Sequence, residues 1–264
     1  MGVAELNGIR IAYDDAGAGP ALVLVHGHPF DRSMWSPQAA AFSSRCRVVV
    51  PDLRGYGSST VVPGKTLLST FAADLLALAD FLGLTRFVLG GLSMGGQIVM
   101  ECYRQFPTRI AGVLLADTFP RADSPSARQA RLAAADRLTA KGMDWYASEN
   151  LAKMIAPDNV SALPSVAAHV LGMMLAAPPA GAAAALRGRA ERPDYRALLT
   201  TVTVPSLVVV GADDKFTPVS DAEEMHSLLP DSTLTVIDRA AHLPNLEQPD
   251  AFNDALHSLL NRVS

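Results

Sequence analysis

Short runs of apolar residues alternate along this chain with longer segments in which apolar residues recur every three to four positions. The longer segments have the spacing of amphipathic helices; the best example is residues 66–82, which Gly83 is expected to cap. Alternation of this kind predicts an α/β fold, a mostly parallel sheet flanked by helices. The apolar runs predict strands at positions 10–14, 21–26, 47–51, 86–90, 112–116, 206–211 and 234–238.

The pattern changes after Asp117. Residues 119–196 contain no strand-like run and are rich in alanine, proline and methionine. They predict a helical cap, residues 118–196, inserted between the two parts of a core, residues 1–117 and 197–264. This segment has 10 Lys and Arg against 7 Asp and Glu, whereas the whole chain has a net charge of -4. The local positive excess favours an anionic substrate.

Composition narrows the class of protein. The length of 264 residues suits one large α/β domain, and 49% hydrophobic but only 6% aromatic residues predict an aliphatic core. The acidic balance argues against nucleic acid or an anionic membrane as a partner. A basic leader and an apolar run of membrane-spanning length are both missing, so a cytoplasmic protein is expected. Cys46 and Cys102 are expected to be unpaired core residues, and the oligomeric state stays open.

The motif G-x-S-x-G occurs at Gly91-Leu92-Ser93-Met94-Gly95, between the strand pattern 86–90 and a helical pattern that ends before Pro107. A serine hydroxyl is a poor nucleophile unless a sharp turn exposes it beside a base and beside donors for an oxyanion. A Cβ at position 91 or 95 would collide with the neighbouring strand or helix in such a turn. Ser93 is therefore the candidate nucleophile of a hydrolase.

A nucleophilic serine needs a general base and an acid that orients the base. Asp214 follows the strand pattern 206–211, and His242 follows the pattern 234–238, which gives the chain order Ser, Asp, His. We predict His242 as the base and Asp214 as the acid. Asp213, by adjacency, and Asp117, by its place after a strand, are the rival acids.

Two main-chain N–H groups are expected to form the oxyanion hole. Met94 follows the nucleophile and opens a helix, and His28 lies in the loop His26-Gly27-His28-Pro29 after the strand pattern 21–26. The His28 side chain either lines the pocket mouth or is incidental to the site. His26 is interpreted as structural, with its imidazole hydrogen-bonded within the loop.

The chain resembles the α/β-hydrolase superfamily over nearly its whole length, and in particular the small-capped 3-oxoadipate enol-lactonase group and related carboxylesterases. The resemblance implies an eight-stranded sheet, the acid at Asp214 within Gly-x-x-Asp-x-x-x-Pro, and ester or lactone hydrolysis through an acyl-enzyme without metal or organic cofactor. Asp52 and Arg54 are then scaffold residues. It rests on residues 26–29, 51–59, 91–96, 211–218 and 242–249.

Alternatives stay open for both activity and pocket. Cofactor-free haloperoxidases, which are also perhydrolases, share the Ser-Met-Gly-Gly elbow; a ligand-binding sensor with very slow turnover and a lyase acting on cyanohydrin-like substrates are the readings from other classes. Arg187, Arg189 and Arg192 are expected on the solvated surface, with pairing to a substrate carboxylate as the alternative. The residues predicted either to form the acyl pocket or to fill the cap core are Trp145, Tyr146, Met154, Met173 and Met174.

Overall fold

Eight strands form a single sheet in the computed structural model of the chain, which describes residues 1–263. The strands are β1 (Gly2–Leu6), β2 (Ile9–Ala16), β3 (Ala21–Val25), β4 (Arg47–Pro51), β5 (Phe87–Leu92), β6 (Ile110–Ala116), β7 (Ser206–Gly211) and β8 (Ser232–Ile237). Their spatial order is β1-β2-β4-β3-β5-β6-β7-β8. Pairing is antiparallel from β1 to β2 to β4 and parallel across the rest of the sheet. The predicted fold class is confirmed.

β1 is the strand that the apolar pattern did not predict. It pairs with β2 through a two-residue hairpin in which Asn7 and Gly8 both have positive φ, 50° and 74°. Asn-Gly is the preferred pair for this type of turn. Because β1 lies at the edge of the sheet and buries only Ala4, it has no continuous apolar run.

The twelve helices of the described residues are α1 (Ser36–Phe42), α2 (Leu68–Phe81), α3 (Met94–Gln105), α4 (Pro125–Lys141), α5 (Asp144–Met154), α6 (Pro157–Ala162), α7 (Pro164–Ala176), α8 (Pro179–Arg189), α9 (Arg196–Leu199), α10 (Val219–Leu228), α11 (Pro244–Glu247) and α12 (Pro249–Val263). Short 3₁₀ helices lie at Arg32–Trp35 and Pro107–Arg109. The predicted helix 66–82 is observed as α2, which ends before Gly83, a residue with φ 68°.

The core lies on both faces of the sheet. Because successive residues of a strand point to opposite faces, Val23 and Val25 of β3 belong to one buried cluster, while Leu22 and Leu24 belong to the other. Helices α2 and α3 contribute to the first cluster, and α1 and α12 contribute to the second. Burial of both faces explains why the central strands read as continuous apolar runs.

Six helices, α4 to α9, lie between β6 and β7 in the chain, and α4 to α8 fall within the predicted cap. Proline occupies the first turn of α4, α6, α7 and α8, where its missing N–H costs no helical hydrogen bond. Helix α4 packs along α8, and α5 packs along α7. The division of the chain into core and cap at residues 118 and 196 stays a prediction.

No single helix within residues 1–263 has both the length and the apolar character needed to cross a membrane. Helices α7 and α8 reach that length and hydropathy only together, and they meet at an angle of 88°.

Candidate active site

Ser93 occupies a sharp turn between β5 and α3. Its backbone lies at φ 57° and ψ −115°, outside the regions that L-residues normally adopt. The Ser93 N–H donates to the Ala116 carbonyl (2.9 Å), and the Ser93 carbonyl accepts from the Thr118 hydroxyl (2.7 Å) and from the Gln97 N–H (3.2 Å). These bonds hold the strained residue at the carboxyl end of β5, in the strand-turn-helix context expected of G-x-S-x-G.

Gly91 and Gly95 let α3 approach the sheet. A Cβ at residue 95 would clash with the backbone carbonyl of Val25 in β3, and a Cβ at residue 91 would clash with the backbone of Gly95. The structure therefore agrees with the expectation that a Cβ at either position would collide with the neighbouring backbone.

Two main-chain segments adjoin Ser93: the first turn of α3 and the loop after β3. N–H groups at the start of a helix have no acceptor within the helix, and Met94 is the first residue of α3. In the other segment, a Cβ on Gly27 would lie 3.3 Å from the Ser93 Cβ. The main chain of His28 follows directly, so both predicted oxyanion donors lie in segments next to the serine. Their role stays a prediction.

Asp214 follows β7 and is buried beside the ring of His242. Its Oδ2 accepts from His242 Nδ1 (2.7 Å) and from the Thr217 hydroxyl, and its Oδ1 accepts from the N–H groups of Phe216 (2.8 Å) and Thr217 (3.2 Å). Burial acts to raise the pKa of Asp214, but the His242 charge and these hydrogen bonds lower it overall. Of the acids weighed from the sequence, Asp214 is the one bonded to His242, whereas Asp213 is exposed.

His242 lies in the loop between β8 and α11 and is only 2% exposed. Because Nδ1 is bonded to Asp214, Nε2 is the ring nitrogen left to exchange a proton with another group. The Phe216 ring packs against the imidazole with the ring centroids 5.1 Å apart. Contacts on two sides thus fix the orientation of the ring.

Asp117 follows β6 and adds a second carboxyl group to this cluster. Its Oδ1 accepts from the Gly211 N–H (2.9 Å), and ligand atoms of Asp117, Asp214 and His242 all lie within 4.8 Å of one another. Burial, and after it the Asp214 charge, raises the pKa of Asp117 well above its usual range. Such a set of atoms could hold a metal ion, but both oxygens of Asp214 already accept hydrogen bonds, so we assign the cluster as a hydrogen-bonded one.

The two histidines of the loop after β3 differ in their surroundings. His26 Nδ1 bonds to the Gly27 carbonyl (2.8 Å), and His26 Nε2 accepts from the Leu53 N–H (3.0 Å), as its structural interpretation requires. His28 Nδ1 bonds to the Tyr56 hydroxyl (2.8 Å). His28 Nε2 is buried and has no hydrogen-bond partner among residues 1–263.

The five predicted pocket residues separate into two groups. Tyr146 contacts the loop after β3, because its ring centroid lies 5.4 Å from that of His28 and perpendicular to it. Trp145 packs against Tyr146 and lies under the guanidinium of Arg137, 3.9 Å from the ring centroid. The second group, buried in the core cluster that also contains Phe30, comprises Met154, Met173 and Met174. Their part in a pocket stays a prediction.

The expected surface position is wrong for two of the three arginines that lie in the last turn of α8 or just after it. Arg189 is 7% and Arg192 4% exposed, whereas Arg187 is partly exposed and pairs with Asp136 at 2.9 Å. The reason is that α8 is buried on nearly all sides and carries small residues, so the arginines near its end enter the interior. An alanine-rich helix gives little sign of this in the sequence.

Glu247 is a site residue that the sequence analysis missed. Its Oε1 accepts from the Ala241 N–H (2.8 Å), next to His242, and its Oε2 accepts from the Ala156 N–H (2.8 Å) and the Asn159 side chain (2.7 Å). Burial raises the pKa of Glu247. Gln97 and Tyr56 were missed as well, since their contacts come from segments far apart in sequence.

Known proteins share the length and fold of this chain. The family profile described as "Alpha/beta hydrolase family" matches residues 22–255. The 3-oxoadipate enol-lactonase 2 of Acinetobacter baylyi is 30% identical over 245 residues, which cover 93% of this chain and 90% of that protein.

Two solved structures are similar as well. A thermophilic esterase from Thermogutta terrifontis has a TM-score of 0.95 at 41% identity, covering 97% of this chain and 94% of the esterase. The enol-lactonase from Burkholderia xenovorans LB400 has a TM-score of 0.92 at 28% identity, covering 98% of this chain and all of the lactonase.

Proposed function

Since this chain belongs to the alpha/beta hydrolase family, we propose that it is a serine hydrolase that cleaves carboxylic esters or lactones of small substrates through an acyl-enzyme. The observation that carries the proposal is the strained Ser93 at the N-terminus of α3, together with the 2.7 Å bond between His242 and Asp214 at the same edge of the sheet. Esterase and enol-lactonase names among the similar proteins support the substrate class.

In the proposed mechanism Ser93 attacks the carbonyl carbon of the substrate while His242 Nε2 takes the serine proton. Asp214 holds the imidazole in the required tautomer and stabilises the imidazolium that forms. The main-chain N–H groups of Met94 and His28 bind the oxyanion, and each such donor typically contributes about 3 to 4 kcal/mol of transition-state stabilisation.

The tetrahedral intermediate collapses when the alcohol leaves with a proton from His242. Water, deprotonated by the same histidine, then attacks the acyl-enzyme and releases the acid and the free Ser93 hydroxyl. In a lactone the leaving alcohol stays attached to the acyl group. The proposed mechanism therefore uses only these side chains, the two main-chain N–H donors and a water molecule.

Steady-state hydrolysis of p-nitrophenyl acetate through octanoate, together with several lactones, tests the proposal. We expect turnover that Ser93→Ala abolishes and His242→Ala nearly abolishes, while Ser126→Ala, a change at an exposed serine, leaves it unchanged. A phosphonate ester should label Ser93 covalently, as peptide mass spectrometry will show. Turnover that survives Ser93→Ala would refute the acyl-enzyme.

Three further measurements separate the alternatives. Peroxide-dependent bromination in the presence of a carboxylic acid would move the assignment to a perhydrolase. Tight binding of one ligand with negligible Ser93-dependent turnover would favour a sensor, and turnover without an acylated Ser93 would favour a lyase.

A further inference from the structure

Arg189 extends from the end of α8 into the interior beside α3. It is only 7% exposed, and its Nε donates to the Gln97 side-chain oxygen at 3.0 Å. Gln97 lies one helical turn after Ser93, and its N–H is bonded to the Ser93 carbonyl. The guanidinium is thus attached to the same turn of α3 that carries the candidate nucleophile.

This buried guanidinium has no carboxylate partner among residues 1–263. Two further arginines, Arg131 and Arg192, act on Arg189 by charge, and both of these are bonded to Asp123, at 2.7 Å and 2.8 Å, whereas Arg189 is not. Burial, and then the charges of Arg131 and Arg192, lowers the pKa of Arg189 well below its usual range. An unpaired buried cation is unfavourable for the fold, which suggests that its partner arrives from outside.

Arg189 lies close enough to the loop after β3 to influence its residues electrostatically. Its charge acts on His28, Tyr56 and Tyr146, and burial together with that charge lowers the pKa of His28 well below the usual value. The His28 ring is therefore neutral, and its buried Nε2 lacks a partner. Two polar groups thus lack partners near Ser93: the guanidinium end of Arg189, which is attached to Gln97 of α3, and His28 Nε2, in the loop that adjoins Ser93.

We propose that Arg189 is the binding site for a carboxylate group of the substrate, so that the preferred ester or lactone carries a second, ionised carboxyl a few bonds from the scissile carbonyl. The Nε of Arg189 is engaged by Gln97, but Nη1 and Nη2 form no hydrogen bond within residues 1–263. This end-on pair matches the two oxygens of a carboxylate, with two parallel charge-assisted hydrogen bonds. The inference rests on the proposed function, whose site it extends.

Two methyl esters of nearly equal size, one charged and one neutral, test the carboxylate site at Arg189. Monomethyl succinate carries the carboxylate, and methyl 4-oxopentanoate has a neutral methyl ketone in its place. We expect a higher kcat/KM for monomethyl succinate, and we expect Arg189→Met to lower the ratio of the two kcat/KM values about 10- to 100-fold. Turnover of the neutral ester should persist, which also shows that the variant folds, and Arg189→Lys should recover part of the preference. Monomethyl esters of malonate, glutarate and adipate will give the preferred chain length.

Arg187→Met is the matched control. It removes the same charge from the same helix, but Arg187 is partly exposed and already paired with Asp136. The substrate ratio should therefore be unchanged. An equal effect of Arg187→Met and Arg189→Met would mean that the net charge of the segment, and not a site at Arg189, sets the preference.

A binding measurement separates this inference from the proposed function. In the Ser93→Ala background, calorimetry should show monomethyl succinate binding about 10-fold more tightly than methyl 4-oxopentanoate, and adding Arg189→Met should remove the difference. If this holds while neither ester is hydrolysed, the carboxylate site stands and the proposed activity is wrong. If the neutral ester is hydrolysed through Ser93 but Arg189→Met changes neither ratio, the activity stands and the carboxylate site is overturned.

Discussion

The carboxyl groups of Asp117 and Asp214 face each other at the ends of adjacent strands, β6 and β7, with their oxygens within 4.8 Å of one another and of the His242 ring. Asp214 is ionised and takes four hydrogen bonds, whereas Oδ2 of Asp117 has no donor among residues 1–263. Two buried carboxylates this close cannot both ionise without a large cost. A protonated Asp117 avoids this repulsion.

Asp117→Asn should therefore change how stability depends on pH. The folded protein keeps the Asp117 proton above the ordinary Asp pKa of about 3.9, whereas the unfolded chain releases it. As pH rises from that value to the raised folded pKa, this residue removes about 1.4 kcal/mol of unfolding free energy per pH unit. Asparagine lacks this loss, so the variant should gain stability relative to wild type as pH rises through this window.

Urea unfolding of both proteins between pH 5 and 8 measures this effect. Asp213→Asn, at an exposed neighbouring acid, is the control and should follow wild type. Parallel stability curves for wild type and Asp117→Asn would show that Asp117 is ionised in the folded protein.

The choice between the adjacent acids of the β7 loop gives a second prediction. Asp214→Asn should lower kcat about 10⁴-fold, because an amide favours the wrong tautomer of His242. Asp213→Asn should leave kcat within about a factor of two of wild type, since an exposed surface change is usually near neutral. Kinetics on p-nitrophenyl butanoate measure both, and equal losses would overturn the assignment of the acid.

The strained backbone of Ser93 predicts an unusual order of stability for two inactive variants. Glycine accepts φ 57° and ψ −115° without the steric cost that a Cβ brings, whereas alanine keeps the strain. Ser93→Gly should therefore be more stable than Ser93→Ala by about 1 kcal/mol, since relief of about 1 to 3 kcal/mol exceeds the entropic cost of about 0.5 to 1 kcal/mol. The urea unfolding midpoints of the two variants measure this difference. Greater stability of the alanine variant would argue against backbone strain at Ser93.

Gly27→Ala tests the second oxyanion donor. The new methyl group would lie 3.0 Å from the Leu92 carbonyl oxygen and 3.3 Å from the Ser93 Cβ, so the loop that carries the His28 N–H must shift. Loss of one donor lowers kcat about 10²- to 10³-fold and leaves ground-state binding largely intact. We expect that fall in kcat with little change in KM. Gly172→Ala, at an exposed glycine of α7 with no atoms within 4 Å of an added Cβ and, like Gly27, without a positive φ, is the control; a matching fall in that variant would contradict the assignment.

Glu247 provides a prediction about stability. Glu247→Ala leaves the buried N–H groups of Ala156 and Ala241 without an acceptor, and each such loss costs about 1 to 3 kcal/mol. Glu247→Gln keeps one acceptor oxygen and should lose less. Thermal and urea unfolding measure both, and equal losses would indicate that side-chain volume, rather than hydrogen bonding, is what Glu247 contributes.

The central sheet could be predicted because strands buried on both faces leave long apolar runs, and the order of Ser93, Asp214 and His242 could be predicted because each follows such a run. β1 was missed because an edge strand buries little, although Asn7-Gly8 marked its turn. The choice of Asp214 over Asp213 needed the family resemblance, since two adjacent aspartates in one loop are equally good candidates for the acid that orients His242.

The burial of Arg189 and the opposition of Asp117 and Asp214 could not be predicted. Both depend on how segments about 90 residues apart meet in space: Arg189 on Gln97 and Asp117 on Gly211. Hydrophobic periodicity describes one helix or strand at a time and contains no information about contacts between distant segments. A charged residue in an alanine-rich helix looks the same in the sequence whether it faces solvent or the site.

The two oxygens of Glu247 have a mechanical consequence. One oxygen is bonded to the loop of His242, and the other is bonded to the start of α6. A single side chain therefore connects the histidine loop to the helices that follow β6. Any displacement of α6 relative to the histidine loop must therefore break at least one of these hydrogen bonds, so the positions of α6 and His242 are coupled through Glu247.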